Sequence, residues 1–261
     1  NEMHLQHFRA PLNKTQAKDF LVACIKGIKF GNPAAAVGHN SLSDEWISLC
    51  LQIDQETGGY DYVGLDLYDG TWTSGGPDSY CEKIDRYYHL LKKPIILMEF
   101  GFASRGDMME NPVAEAAVFL KTLGFDSIQE AMANLDSLIE PLPPRIADKA
   151  RLCAPEDKLQ CVAIGIVHLL KKWPVKNAIL HTEEGQAAFF GQLLPRLLKN
   201  QHLAGAVIYC LRDSDRCFYC GEADCPCETA WGLIRNDGSK KPAFNVVKKM
   251  FTEKIFPKFQ Y

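Results

Sequence analysis

The stretch "KKPIILMEFGFAS", Lys92 to Ser104, runs four apolar residues, Ile95 to Met98, straight into a carboxylate, Glu99. A short apolar run between breakers reads as a strand buried on both faces, here over residues 94–100. An unpaired carboxylate is costly to bury, so Glu99 belongs either to a rim or to a site that uses it.

Working outward, the strand is flanked by helical patterns. Ala17, Phe20, Leu21, Cys24, Ile25 and Ile28 fall on one helical face and predict a helix over residues 15–30. Short strands are expected at 34–37, ending in His39 and Asn40, and at 60–70, with helices at 43–54 and 77–91 between them. Residues 105–177 hold helical patterns at 113–123, 127–139 and 157–172, separated by the breakers "EPLPPR" and "CAPED". A helix over 183–199 precedes a fourth strand, "LAGAVIYCLRD", and an amphipathic helix runs to about residue 251. Short apolar strands alternating with long helices imply βαβ units and a parallel sheet, an α/β fold. The chain divides into residues 1–104, a helical insertion at 105–177, and residues 178–261 with a cysteine-rich loop.

The 261 residues are 47% apolar and 23% charged, with a formal net charge of -3. That balance argues against nucleic acid as a partner, because phosphate neutralisation needs a basic surface. No apolar run approaches the roughly 18 residues of a membrane span, so no membrane partner is expected. The N-terminal text settles neither an extracellular nor a cytoplasmic location.

Four stretches, in order, resemble the clan A retaining glycoside hydrolases, (β/α)8-barrel enzymes that include families 2 and 5. The opening Asn1-Glu2 is similar to the Asn-Glu pair closing the fourth barrel strand, although Met3 stands where a proline is usual. "YVGLDLYDGTW" is similar to the sixth strand, with Tyr68 as its late aromatic. "KKPIILMEFGFAS" resembles the seventh, with Glu99 at the nucleophile position. "AGAVIYCLRDSD" and "WGLIRNDGSKKPAF" resemble the eighth strand and its sequel. The resemblance implies a partial TIM barrel: the end of strand four plus strands five to eight, completed by an N-terminal half as partner.

It also implies glycoside hydrolysis with retention, on β-linked oligo- or polysaccharides, with no cofactor needed for catalysis. Glu99 would be the nucleophile and Glu2 the acid/base, two carboxylates flanking the glycosidic bond. Asn1 would bind the sugar 2-hydroxyl, and Tyr68 would donate to Glu99. His39, Asn40 and Trp72 would face the same cavity, and Trp231 would replace the tryptophan usual at the end of strand eight. Asp66, inside the second strand read here, is expected to make buried hydrogen bonds, with Arg212 a candidate partner. The competing class is a non-catalytic truncated barrel that binds carbohydrate or metal.

Ten cysteines are present, four of them in "CFYCGEADCPC". Cys217, Cys220, Cys225 and Cys227 can wrap one structural zinc as four thiolates around a Gly and a Pro turn. Two disulfides are the alternative for the same spacing.

Overall fold

The computed structural model describes residues 2–41 and 44–252, without the side chains of residues 41, 44 and 45. Asn1 lies outside the described residues. Among the described residues six strands form: β1 (Gly38–Ser41), β2 (Tyr62–Leu67), β3 (Ile95–Phe100), β4 (Asp107–Met108), β5 (Lys172–Trp173) and β6 (Leu203–Ile208). The main sheet is parallel throughout in the order β1-β2-β3-β6, and β4 and β5 pair separately.

A short N-terminal helix, α1 (Gln6–Arg9), precedes α2 (Lys14–Gly31), α3 (Asp44–Thr57) and α4 (Pro77–Leu91). The insertion contributes α5 (Pro112–Thr122), α6 (Ile128–Ala133), α7 (Leu135–Ile139), α8 (Pro144–Leu152) and α9 (Lys158–Leu170). The last part holds α10 (Glu183–Leu197), α11 (Pro226–Thr229) and α12 (Pro242–Thr252). Helix α2 starts on a capping box in which Asn13 and Gln16 satisfy each other's backbone N–H. Helix α4 starts on Pro77, whose missing N–H is harmless at that position, and ends on Lys92 in the left-handed region.

Helices cover one face of the sheet. Val63, Leu65, Leu67, Ile95, Leu97 and Phe100 share a core with Ile47 of α3, Ile84 of α4, Phe189 and Leu193 of α10 and Val247 of α12. The opposite face carries Asn40, Gly64, Asp66, Ile96, Met98 and Val207, and Val207 there is 54% exposed. A second core joins α5–α9 to Tyr68, Ala103, the cysteine-rich loop, Trp173 and Trp231, above the C-terminal ends of β2 and β3. A third joins α2 and α3 around Leu21, Ile25, Trp46 and Ile53.

Three expectations change, the first being that the helix expected over 127–139 divides at Asn134 into α6 and α7. The first strand lies at Gly38–Ser41 rather than 34–37. Ala34 and Ala36 are exposed, and pairing with β2 begins only at Gly38, opposite Tyr62. The breaker "EPLPPR" does end α7, at Ile139, but its last proline, Pro144, also opens α8, a helix the sequence pattern does not predict. No helix among the described residues is long and apolar enough to cross a membrane.

Candidate active site

Glu99 owes its direction to an irregularity in β3. Leu97 pairs with Leu65 and Glu99 with Asp66, so Met98 is an extra residue with no counterpart on β2. Leu97 and Phe100 consequently both enter the helix-side core although three residues apart. Strict alternation would have sent Glu99 to that core with Leu97. The bulge turns it onto the opposite face, beside Asp66.

Two glycines make room for this arrangement. A Cβ on Gly64 would sit 2.7 Å from Met98 Cγ and 2.9 Å from Asn40 Cα. A Cβ on Gly101 would sit 2.2 Å from the Tyr209 carbonyl oxygen and 3.2 Å from the Trp231 ring. The backbone after β3 therefore runs against the exit of β6, where Tyr209 N donates to Phe100 O at 2.8 Å.

The polar contacts converge on the acids. Tyr68 Oη donates to Glu99 Oε2 at 2.7 Å. Asn40 Nδ2 donates to Asp66 Oδ2 at 2.5 Å, and the Glu2 backbone N–H donates to Asn40 Oδ1 at 3.3 Å. Glu2, 7% exposed and in a left-handed backbone conformation (φ 45°), shares a carboxyl hydrogen bond with Asp66. Burial first, and then the nearby Glu99 charge, push its pKa up to about 7. Asp66, fully buried, is pushed up to about 8 by burial and then by Glu2 and Glu99. Glu2 and Asp66 act on each other, and the deeper Asp66 holds its proton the more firmly. Burial and Glu99 also raise Tyr68, which keeps its hydroxyl a donor.

A third glutamate joins from the cysteine-rich loop. Glu228, on α11, hydrogen-bonds with Tyr209 and is held well above the usual carboxylate range by burial, then by Cys217, Glu2 and Glu99. No motif singles it out in the sequence; its place depends on how that loop folds back over the strand ends. The Tyr209–Cys210 peptide bond beside it is cis.

The other residues singled out in the sequence are placed differently. His39 pairs with Val63, a helix-side core residue, so it lies on the face opposite Asn40 and does not share the acids' cavity. Its ring nitrogens have no hydrogen-bond partner among the described residues, and burial lowers its pKa to about 4. Trp72 packs edge-on against Trp173 at 5.4 Å and beside His168 at 5.7 Å. Trp231 is only 2% exposed and meets Tyr68 edge-on at 5.0 Å, so it walls the Tyr68–Glu99 pair rather than offering an open face. Arg212 is exposed and donates to the Asn236 carbonyl, away from Asp66. A separate cavity of about 440 Å³, lined in part by Ser104, Arg105, Asp213, Thr229 and Lys241, includes none of the four converging acids.

Of the cysteine cluster, Cys217, Cys220 and Cys225 come together with His168 of α9, their donor atoms all within 4.8 Å of one another, while Cys227 hydrogen-bonds Cys225 from outside that group. Cys227 is buried nearby, with its carbonyl accepting from Trp231 Nε1 at 2.7 Å.

No protein-family model and no curated protein matches the chain. Solved structures do. A family 2 β-galacturonidase from Eisenbergiella tayi bound to galacturonate superimposes with a TM-score of 0.52 at 14% identity, over 91% of this chain and 30% of that one. A β-D-glucuronidase from Dictyoglomus thermophilum gives 0.51 at 13%, over 94% and 31%. A β-glucuronidase from an uncultured Clostridium gives 0.50 at 12%, over 90% and 30%. The chain thus spans about 30% of the length of these structures. At such identities the likeness is one of fold, and the fold it resembles is that of glycoside hydrolases.

Proposed function

We infer that the chain is the C-terminal half of a (β/α)8 barrel and supplies both catalytic carboxylates of a retaining β-glycosidase. The observation that carries this reading is the pairing of an oriented acid with a protonated one. Tyr68 fixes Glu99 at 2.7 Å, while Glu2, beside it, has a pKa near 7. Parallel strands in sequential order and the likeness to solved glycoside hydrolases support the barrel.

The chemistry follows from those environments. Glu99 as carboxylate attacks the anomeric carbon while Glu2 donates its proton to the leaving oxygen. Glycosylation turns Glu99 into a neutral ester and removes the negative charge that raised Glu2. The Glu2 pKa then falls, and the same group accepts a proton from the water that hydrolyses the ester. Asp66 and Asn40 hold Glu2 by its carboxyl and its backbone. Tyr209, Glu228 and Trp231 close the side of the site formed by the cysteine-rich loop. The substrate class is a β-linked oligo- or polysaccharide, and the N-terminal half of the barrel completes the cavity.

Replacing Glu2 tests the assignment in the intact gene product. Glu2→Ala should retain cleavage of 2,4-dinitrophenyl β-glycosides, whose leaving group needs no proton, and lose cleavage of alkyl β-glycosides. Added azide should accelerate turnover and give a β-glycosyl azide. Equal losses on both substrates, with no azide product, would contradict the acid/base role.

A further inference from the structure

His168 lies on the last turns of α9, 49 residues before Cys217. The fold brings it to the cysteine-rich loop, where its Nδ1 sits 3.3 Å from Cys217 Sγ and 3.6 Å from Cys225 Sγ. The donor atoms of His168, Cys217, Cys220 and Cys225 all lie within 4.8 Å of one another, and all four residues are buried. Zinc bonds of about 2.3 Å to sulfur and 2.0–2.1 Å to nitrogen, at tetrahedral angles, put a sulfur and a nitrogen about 3.6 Å apart. The two S···N separations are close to that edge, and the remaining donor pairs lie within 4.8 Å.

We propose that His168, Cys217, Cys220 and Cys225 form a closed structural zinc site that clamps the helical insertion to the wall of the candidate active site. Three thiols and one neutral imidazole bind Zn²⁺ with release of three protons, leaving a four-coordinate centre with no open position. The residues around it are arranged to hold the ligands. Tyr219 stacks on His168 at 4.5 Å and donates to the Cys161 carbonyl at 3.0 Å, both on α9. The Cys220 backbone N–H points at Cys217 Sγ, 3.4 Å away.

The clamp has a consequence for the site. Cys225 is the residue before α11, so fixing its sulfur fixes the helix that carries Glu228. Thr229 Oγ1 donates back to the Cys225 carbonyl at 2.6 Å, and the Ala230 carbonyl accepts from Ser104 at the exit of β3. Zinc would thereby hold Glu228 and Trp231 against Tyr209 and Tyr68 through short covalent paths.

The test is metal analysis of the intact, untagged gene product, purified without chelators, combined with cysteine alkylation mapped by mass spectrometry. One zinc per chain is expected, with Cys217, Cys220 and Cys225 resistant to alkylation until denaturant and a chelator remove the metal. His168→Ala should lose zinc at least fivefold, His168→Cys should restore it, and Cys227→Ser should keep it. Wild-type protein with less than a tenth of a zinc per chain, or with a disulfide among these cysteines, would overturn the proposal without relying on any variant. Zinc lost in Cys227→Ser but kept in His168→Ala would overturn the ligand set.

Discussion

After burial, the Glu99 charge is the next cause that holds Glu2 protonated, so its removal should be visible there. In Glu99→Gln the negative charge beside Glu2 is gone, and the Glu2 carboxylate forms more easily. The Glu2 pKa should fall from about 7, measured by ¹³C NMR titration of labelled glutamate; an unchanged value would mean the two groups do not interact. Asp66 makes a separate prediction about stability. Its pKa rises from 3.8 to about 8 on folding, so between those pH values the folded state binds more protons than the unfolded one. Stability then falls as pH rises through this window, at about 1.4 kcal/mol per pKa unit for a single independent group. Coupling to Glu2 reduces that share to a few kcal/mol at most. Asp66→Asn can still accept from Asn40 but cannot ionise. Relative to wild type, its unfolding midpoint should rise from pH 5 to pH 8, and parallel pH profiles would contradict the buried-acid account.

At the scale of elements, the rigid seam between β3 and β6 does the positioning. Gly101→Ala would drive a Cβ to 2.2 Å from a backbone oxygen, which nothing flexible can relieve. It should cost about 2–3 kcal/mol, as overpacking does, and lower kcat by shifting Glu99 against Tyr68. Gly205→Ala on β6 meets only Ile96 at 3.6 Å, an ordinary contact, and should unfold within about 0.5 kcal/mol of wild type. Equal effects would mean that the seam is not the constraint. Much of this level was legible in the text. The run from Ile95 to Phe100 reads as a strand and is one, and the helix expected over 77–91 has those bounds. The bulge at Met98 was not legible, because nothing in "IILMEF" marks an extra residue until β2 supplies the register. Nor was α8, because Pro144 breaks a helix in its middle but starts one in its first turn. His168 carries no signal in the sequence, because on α9 it is one more residue of an amphipathic helix, and only tertiary packing brings it to the thiolates.

Over the whole molecule, the wall of the candidate active site depends on segments distant in sequence. Arg9 is fully buried as a side chain and donates to Asp157 Oδ2 at 2.5 Å, while its other amino group bonds the His4 carbonyl at 2.9 Å. This pair ties the turn carrying Glu2 to the start of α9. Asp157→Ala leaves a buried guanidinium unpaired and should destabilise by about 3–5 kcal/mol, with kcat falling further than folding loss explains, read from activity per folded molecule. The sheet face bearing the acids, where Val207 is 54% exposed, is the face that a completing half-barrel would cover. In the proposed reaction Glu99 bonds covalently to the sugar. The direct measurement is to trap that bond with a 2,4-dinitrophenyl 2-deoxy-2-fluoro-β-glycoside, using the sugar whose unfluorinated glycoside the intact protein cleaves fastest. Trypsin releases Glu99 in the peptide Lys93–Arg105, "KPIILMEFGFASR", where it is the only side-chain carboxylate. A fluoroglycosyl mass on that peptide, formed as activity is lost, is the predicted result. Label on another peptide, or continued turnover with no labelled peptide, would contradict it.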